Sequence, residues 1–231
     1  MKIKTQEKYG GTFTYRWSSH TSVIYTALEL LKPELVVELG MGFFSSPIFF
    51  KSDAKKTIHV ENTQEWIDLI KDKHKDIIDE SKSEFLYQNV GDVKLQTKYV
   101  ELNNEQKKSI YDYYKDLSIK VNQMNYNDKL MFTDGFTALR RPSIDILTND
   151  FDMVIYHDAE DTENYDYNNI DESLKEQNDH YLLKTATTYT GFFVKKDTYD
   201  KEQLKQIMNN SIDRYTKEVN VSKEGFELVN L

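Results

Sequence analysis

The stretch that decides the fold is Glu34-Leu35-Val36-Val37-Glu38-Leu39-Gly40-Met41-Gly42, a short apolar run that ends in two glycines. An apolar run of this length bounded by glycine is typical of a strand buried on both faces of a parallel sheet. A helical pattern from about Ser18 precedes it and is closed by Pro33, and Ser45-Ser46-Pro47 after it is a typical helix start. The sequence therefore predicts helix, strand, glycine turn and helix in succession.

The same alternation of strand and helix continues along the chain. Further strands are predicted at about 56–61, 84–88, 129–135 with its turn, and 151–158. Two late segments, 180–184 and 189–195, are predicted to pair as an antiparallel hairpin at the sheet edge. This pattern predicts an α/β fold with an open, mostly parallel, doubly wound, seven-stranded sheet and an antiparallel edge strand or hairpin. We expect one domain over 1–231, with an N-terminal extension over about 1–17 and a helical excursion over about 93–128.

The composition excludes several classes of function. The 231 residues carry a formal net charge of −9, which disfavours binding to a nucleic-acid backbone or to an anionic membrane. There is no cysteine, so disulfides, zinc–thiolate sites and cysteine nucleophiles are excluded. No apolar run approaches the length of a membrane span, and we expect a soluble, cytoplasmic protein with no membrane partner. The sequence leaves open whether the chain forms a homo-oligomer.

An acidic or glycine residue closes each of the five predicted parallel strands. These strand ends carry Gly40 and Gly42, Glu61, Asp92, Asp134-Gly135, and His157-Asp158. Ligands of open α/β sheets bind beyond the carboxyl ends of the strands, where the strand order reverses. The sequence therefore predicts that these residues line one ligand site.

The first two strand ends bear on the choice of cofactor. Gly40 and Gly42 let backbone amides approach a ligand closely, but the third glycine of a dinucleotide site is missing near Ser45. Glu38 would add negative charge beside a pyrophosphate, whereas it suits a cofactor with an ammonium and a sulfonium group. Glu61 lies 21 residues beyond Gly40 and can accept hydrogen bonds from two ribose hydroxyls. The alternatives are that the glycines serve packing alone and that Glu61 caps the next helix.

Residues 38–47, with the sequence ELGMGFFSSP, resemble the first motif of class I S-adenosylmethionine (SAM)-dependent methyltransferases. His59-Val60-Glu61 with Trp66 resembles the second motif, whose acid binds ribose, and Gly91-Asp92 resembles the third, whose Asp reaches the adenine amino group. The resemblance covers roughly 18–195 and implies a Rossmann-like fold with SAM as the cofactor. The cofactor-binding residues that it implies are Glu38, Gly40, Gly42, Ser45, Glu61 and Asp92.

The ends of the fourth and fifth strands carry candidate catalytic residues. Asp134-Gly135, Arg140 and His157-Asp158 resemble the pattern of small O-methyltransferases that act on sugars and related hydroxylated substrates, some of which bind magnesium. A His that often follows the Asp-Gly of this family is replaced here by Phe136-Thr137. His157 is the candidate general base because its pKa is near neutral, with Asp134 and Asp158 as its catalytic partners; a structural His is the alternative.

Metal and substrate ligands are also predicted in this region. Asp134, Asp158 and Glu160 are candidate oxygen ligands for Mg²⁺, with carboxylates that face water as the alternative. Arg140 is a candidate binder of an anionic acceptor, and a salt bridge to Asp145 is the alternative. His20 is a candidate substrate-binding residue in a segment folded over the cofactor, as the resemblance implies.

Three functions follow from these patterns. The leading hypothesis is a SAM-dependent methyltransferase that methylates a hydroxyl of a small, sugar-like acceptor. The second is a methyltransferase for nucleic acid or another small molecule, although 133–136 is Thr-Asp-Gly-Phe and not an amino-methylation motif. The third is a non-catalytic SAM-fold subunit that supports a partner protein.

Overall fold

The computed structural model describes residues 18–91, 93–185, 188–219, 223 and 225–231. The predicted extension 1–17 and the predicted cofactor ligand Asp92 lie outside the described residues. The strands are β1 Leu35–Leu39, β2 Lys56–Glu61, β3 Ser83–Tyr87, β4 Lys129–Thr133, β5 Met153–His157, β6 Asn178–Lys184, β7 Tyr189–Lys195 and β8 Glu227–Asn230. The α-helices are α1 Thr21–Leu31, α2 Ser46–Phe50, α3 Gln64–His74, α4 Asn104–Gln123, α5 Thr137–Leu147, α6 Thr162–Tyr165, α7 Glu172–Gln177 and α8 Lys201–Val219.

These strands form one mixed sheet in the order β3-β2-β1-β4-β5-β7-β6-β8. Strands β1 to β5 are parallel, and β6, β7 and β8 pair in antiparallel fashion at one side. The predicted α/β class, the mostly parallel sheet and the antiparallel hairpin are therefore confirmed. The described residues form eight strands, and not the seven predicted, because β8 adds to the outer edge of β6.

Every residue of β1 is buried, which explains its uninterrupted apolar sequence. Val37 packs in a core cluster with Ile110 of α4 and Ile144 of α5, whereas Val36 packs in a second cluster with Ile24 of α1 and Met208 of α8. Helices thus cover both faces of the sheet. Each of these buried aliphatic side chains stabilises the fold by roughly 1.5–3 kcal/mol.

Two segments differ from what the sequence pattern indicates. Helix α5 was not apparent because Pro142 lies inside it and removes one backbone hydrogen-bond donor. The acidic and aromatic run after β5 is polar and has no periodic pattern, but it contains α6 and a 3-10 turn over Tyr167–Asn169. Tyr167 is buried there, with its ring centroid 4.9 Å from that of Tyr156.

Within the described ranges, each helix falls short of the length or the apolar character that a membrane crossing requires.

Candidate functional site

The order of the strands reverses between β1 and β4, and the turn after β1 lies at this switch point. Gly40 has a φ of +89°, and its N–H donates to the carbonyl of Val60 in β2 at 2.8 Å. A Cβ on Gly40 would lie only 2.4 Å from the backbone nitrogen of Gly135, whereas one on Gly42 would contact the Ser45 hydroxyl at 3.0 Å. Gly40 is therefore required by the close approach of the β1 and β4 turns, irrespective of any ligand.

Glu38 lies beneath this turn, and its side chain has no exposed surface. Its carboxylate accepts hydrogen bonds from the Ser46 hydroxyl at 2.8 Å and is 2.6 Å from Nδ1 of His59. The Gly42 N–H in turn donates to the Ser46 hydroxyl at 3.0 Å. Glu38 thus supports the turn from below, and His59 is a fully buried core residue. Ser45, another predicted cofactor residue, is buried directly before α2.

Glu61 ends β2 and lies on the other side of the same turn. Its carboxylate accepts from the N–H of Met41 at 3.0 Å and from the N–H of Asn62 at 2.6 Å. Only 6% of the residue is exposed, and this burial raises the pKa of its carboxyl to about 7, even though the backbone N–H groups act to lower it. Each carboxylate oxygen keeps a second lone pair, so Glu61 can still accept hydroxyl groups from a ligand.

A cavity of about 730 Å³ lies beside the residues that directly follow Glu61 in the chain. Its lining includes Asn62 and Thr63 after β2, Gly91 and Val93 after β3, and Phe136 after β4. This volume is within the range of small-molecule and cofactor sites. The cavity is therefore large enough for a nucleoside-sized group near the end of β2.

Arg140 of α5 joins the ends of β4 and β5. Its guanidinium forms ion pairs with Asp134 at 2.8 Å and with Asp158 at 2.9 Å, and only 7% of the residue is exposed. Burial opposes its charge, but the two carboxylates outweigh this effect and raise the pKa of Arg140. The sequence assigned this side chain to an anionic substrate or to Asp145. Its partners in the structure are Asp134 and Asp158, and the adjacent Arg141 is the one that pairs with Asp145, at 2.9 Å.

His157 and His20 meet beside this ion-pair network. Nδ1 of His157 lies 3.3 Å from Oδ1 of Asp134, and the ring centroids of the two histidines are 4.5 Å apart with the rings nearly perpendicular. Although burial would raise the pKa of Asp134, His157 and Arg140 hold it well below its usual range. An ionised carboxylate can only accept, so Nδ1 of His157 carries the hydrogen.

The remaining nitrogens of these two imidazoles make no hydrogen bond to the described part of the chain. They are Nε2 of His157 and both ring nitrogens of His20, and all three are buried. Burial also opposes the charged form of His157, but Asp134 outweighs it and raises the pKa of His157. Burial and the positive charge of His157 lower the pKa of His20 to about 3, so its imidazole is neutral.

The structure does not gather the metal ligands predicted from the sequence. Glu160 is exposed, and its carboxylate accepts from the N–H of Tyr189 at 2.6 Å, while Asp158 is paired with Arg140. Among the described residues, the acidic and histidine groups close enough to share a metal ion are His20, Asp134 and His157. A ligand atom of each lies within 4.8 Å of the other two.

Two tyrosines that the sequence did not assign to the site complete it. The Tyr165 hydroxyl donates to Asp158 at 3.2 Å, and the Tyr165 ring lies 4.1 Å from the Arg140 guanidinium. The Tyr167 hydroxyl donates to the carbonyl of His157 at 3.1 Å. The acidic and aromatic run that contains both tyrosines was the only signal, and it did not identify their partners.

Comparisons with known proteins give fold-level similarity. No protein-family model matches the sequence, and no curated protein is significantly similar to it. A methyltransferase-like protein from Silicibacter pomeroyi is 12% identical with a TM-score of 0.48, over 83% of this chain and 93% of that one. An rRNA methylase from Streptococcus thermophilus is 13% identical with a TM-score of 0.49, over 77% and 96%. The N-methyltransferase NodS from Bradyrhizobium japonicum, in complex with S-adenosyl-L-homocysteine (SAH), is 11% identical with a TM-score of 0.45, over 85% and 95%. Similarities at this level assign neither a family nor an acceptor to the chain.

Proposed function

We propose that the protein is a SAM-dependent methyltransferase that methylates a hydroxyl group of a small, sugar-like acceptor. The observation that carries this proposal is Glu61, a desolvated carboxylate at the end of β2, where the next two residues, Asn62 and Thr63, line a cavity of about 730 Å³. A carboxylate at this point of an open α/β sheet is suited to the two hydroxyls of a ribose. The lining of the cavity, which includes Asn62, Val93 and Phe136, would hold the adenine ring.

The turn after β1 separates this cofactor half of the site from the reacting half. Gly40 brings the turn against the end of β4, and Glu38 holds it from below through Ser46. Glu38 is enclosed by protein, so we assign it to shaping the turn and not to contacting the sulfonium. Asp92, predicted to bind adenine, remains a prediction.

The reacting half removes the proton of the acceptor. When bound, SAM supplies an electrophilic methyl group, and the electron pair of the broken carbon–sulfur bond stays on sulfur to give SAH. His157 accepts the hydroxyl proton at Nε2, because Asp134 fixes the hydrogen on Nδ1. The acceptor oxygen then forms the new bond to the methyl carbon, and His20 borders the acceptor beside His157.

The charges of the site favour a neutral acceptor. When His157 is neutral and able to act as a base, Asp134, Asp158 and Arg140 leave the site with one net negative charge, since one guanidinium is shared by two carboxylates. An anionic acceptor is therefore disfavoured, whereas the free lone pairs of the carboxylates suit the hydroxyls of a sugar. The guanidinium of Arg140 supplies the positive charge beside Asp134 and Asp158 that the sequence assigned to Mg²⁺. The proposed reaction therefore proceeds without Mg²⁺.

A thermal-shift titration tests the cofactor. We expect SAM and SAH to raise the melting temperature of the full chain, and NAD⁺, a pyrophosphate control, to have no effect. Glu61→Ala should lose the response to SAM, whereas His157→Ala should keep it and lose methyl transfer to a sugar acceptor. Absence of stabilisation by both SAM and SAH at saturating concentration would refute the proposal.

A further inference from the structure

Three buried imidazole nitrogens, two in His20 and one in His157, make no hydrogen bond to the described residues. We therefore expect a ligand to bind them. A buried polar atom without a hydrogen bond costs about 1–3 kcal/mol, so such atoms are rare unless something binds them. Both histidines are 2% exposed, and they lie beside the Asp134 carboxylate. The arrangement is built from three elements, namely the segment before α1, the end of β4 and the end of β5.

We propose that His20, Asp134 and His157 form a binding site for a d-block divalent cation such as Zn²⁺. One ligand atom of each of these three side chains lies within 4.8 Å of the ligand atoms of the other two, which is close enough for all three to bind one ion. Two imidazoles and one carboxylate favour zinc and its neighbours over magnesium, which prefers oxygen ligands.

The charge balance of the cluster accommodates the ion. Neither ring nitrogen of His20 has a hydrogen-bond partner among the described residues, so the neutral imidazole offers an unshared lone pair, which metal ligation requires. Arg140 pairs with Asp134, but Asp158 offsets the charge of Arg140, so the cluster as a whole is negative. Arg140 also orients the Asp134 carboxylate, as outer-shell partners of metal ligands commonly do.

Metal binding and proton transfer exclude one another at His157. A neutral imidazole has one lone pair, and its second nitrogen carries a hydrogen. An imidazole that gives this lone pair to a metal ion has none left for the acceptor proton. The metal site rests on the side-chain geometry alone, whereas its inhibitory effect on methyl transfer also rests on the proposed function.

Calorimetric titration of the chelator-treated full chain with ZnCl₂ tests the site. We expect one ion per chain, a rise in melting temperature, and visible d–d absorption when Co²⁺ replaces Zn²⁺. His20→Gln and Asp134→Asn should each weaken binding by more than the roughly 10- to 100-fold that the loss of an outer-shell partner costs. The matched control is His74→Gln, because Nε2 of His74 is also buried without a partner among the described residues but lies outside the cluster. Circular dichroism checks that each variant is folded.

Absence of Zn²⁺ binding by the wild-type chain, or equal affinity in His20→Gln, overturns the site. Zn²⁺ should also lower methyl transfer, with recovery on adding a chelator, and a rise in turnover would contradict the exclusion at His157. SAM stabilisation is measured on the same samples. If SAM binds and Zn²⁺ does not, only the metal site fails. If Zn²⁺ binds and SAM does not, the proposed function fails and the metal site stands.

Discussion

Replacement of Glu61 by Gln should change how the stability of the ligand-free protein depends on pH. Burial raises the pKa of this carboxyl from 4.5 to about 7. A raised pKa means that the folded state binds the proton more tightly than the unfolded state. The stability that this proton provides is present below pH 4.5 and is lost as the pH rises through about 7.

The shift from 4.5 to about 7 corresponds to about 3.5 kcal/mol once the carboxyl is ionised in both states, at about 1.4 kcal/mol per pKa unit. Roughly 2.5 kcal/mol of this difference falls between about pH 5 and about pH 8. Glu61→Gln cannot ionise, so its free energy of unfolding should gain about that amount relative to wild type over this interval. Comparing the two pH values removes any fixed cost of placing an amide against the Met41 and Asn62 N–H groups.

Urea denaturation of wild type, Glu61→Gln and Glu65→Gln at both pH values measures the effect. Glu65 is exposed in the first turn of α3, and its variant should follow the wild-type pH dependence. A difference between Glu61→Gln and wild type that is the same at both pH values would refute the reasoning. It would show that the Glu61 carboxyl is not desolvated.

Three further substitutions, two of them with a matched control variant, test the turn and the ion-pair network. Gly40→Ala should destabilise the protein by about 2–4 kcal/mol in urea denaturation, because Gly40 has a positive φ and its Cβ would meet backbone atoms. The control Gly42→Ala should cost below about 1 kcal/mol, since its Cβ would meet only a side-chain hydroxyl. Equal losses of stability in the two variants would contradict the requirement for glycine at position 40. Arg140→Lys should cost about 2–4 kcal/mol of stability and lower kcat, because the buried guanidinium of Arg140 pairs with the carboxylates of both Asp134 and Asp158. Arg141 is more exposed, so the control Arg141→Lys should cost less than about 1 kcal/mol and leave kcat unchanged. Glu38→Gln should cost about 1–3 kcal/mol and weaken SAM binding in the thermal-shift assay, because a neutral amide accepts from Ser46 and His59 more weakly than the carboxylate does. Unchanged SAM affinity would show that Glu38 does not support the turn.

The fold was readable from the sequence wherever burial is complete on both faces of a strand. The bounds of β1 and β4 were predicted to within two residues, because a short continuous apolar run that ends in glycine is compatible with few structures other than a buried strand. α5 was missed because its proline obscures the helical pattern, and β8 was not counted because it is short and partly exposed. In both cases the tertiary packing, and not the local pattern, determines the element.

The location of the site was predictable, but the partners of its side chains were not. Residues at the ends of parallel strands meet at one edge of the sheet, so the sequence alone is sufficient to group Asp134, His157 and Asp158. Their contacts depend on Arg140, which lies one helical turn into α5, and on the position of His20, which precedes β1. The sequence separation gives no information on which carboxylate an arginine of α5 will reach, and Asp145 was the nearer candidate along the chain.

The strand-end acids illustrate why residue type alone does not assign function. Glu38, Glu61 and Asp134 each follow or end a parallel strand, and each was predicted to contact a ligand. The register of β1 and β2 places Glu38 opposite His59, so the Glu38 carboxylate forms a hydrogen bond inside the protein instead of contacting a ligand. Asp134 is held ionised by Arg140 and by His157 and keeps about a quarter of its side chain exposed. Glu61 is instead hydrogen-bonded by backbone N–H groups and has no cationic partner in the described ranges of the chain. Of these three acids, Glu61 is therefore the one whose protonation state a ligand with hydroxyl donors would change. The pH dependence of Glu61→Gln and the SAM titration therefore probe the same carboxyl in its empty and its bound state.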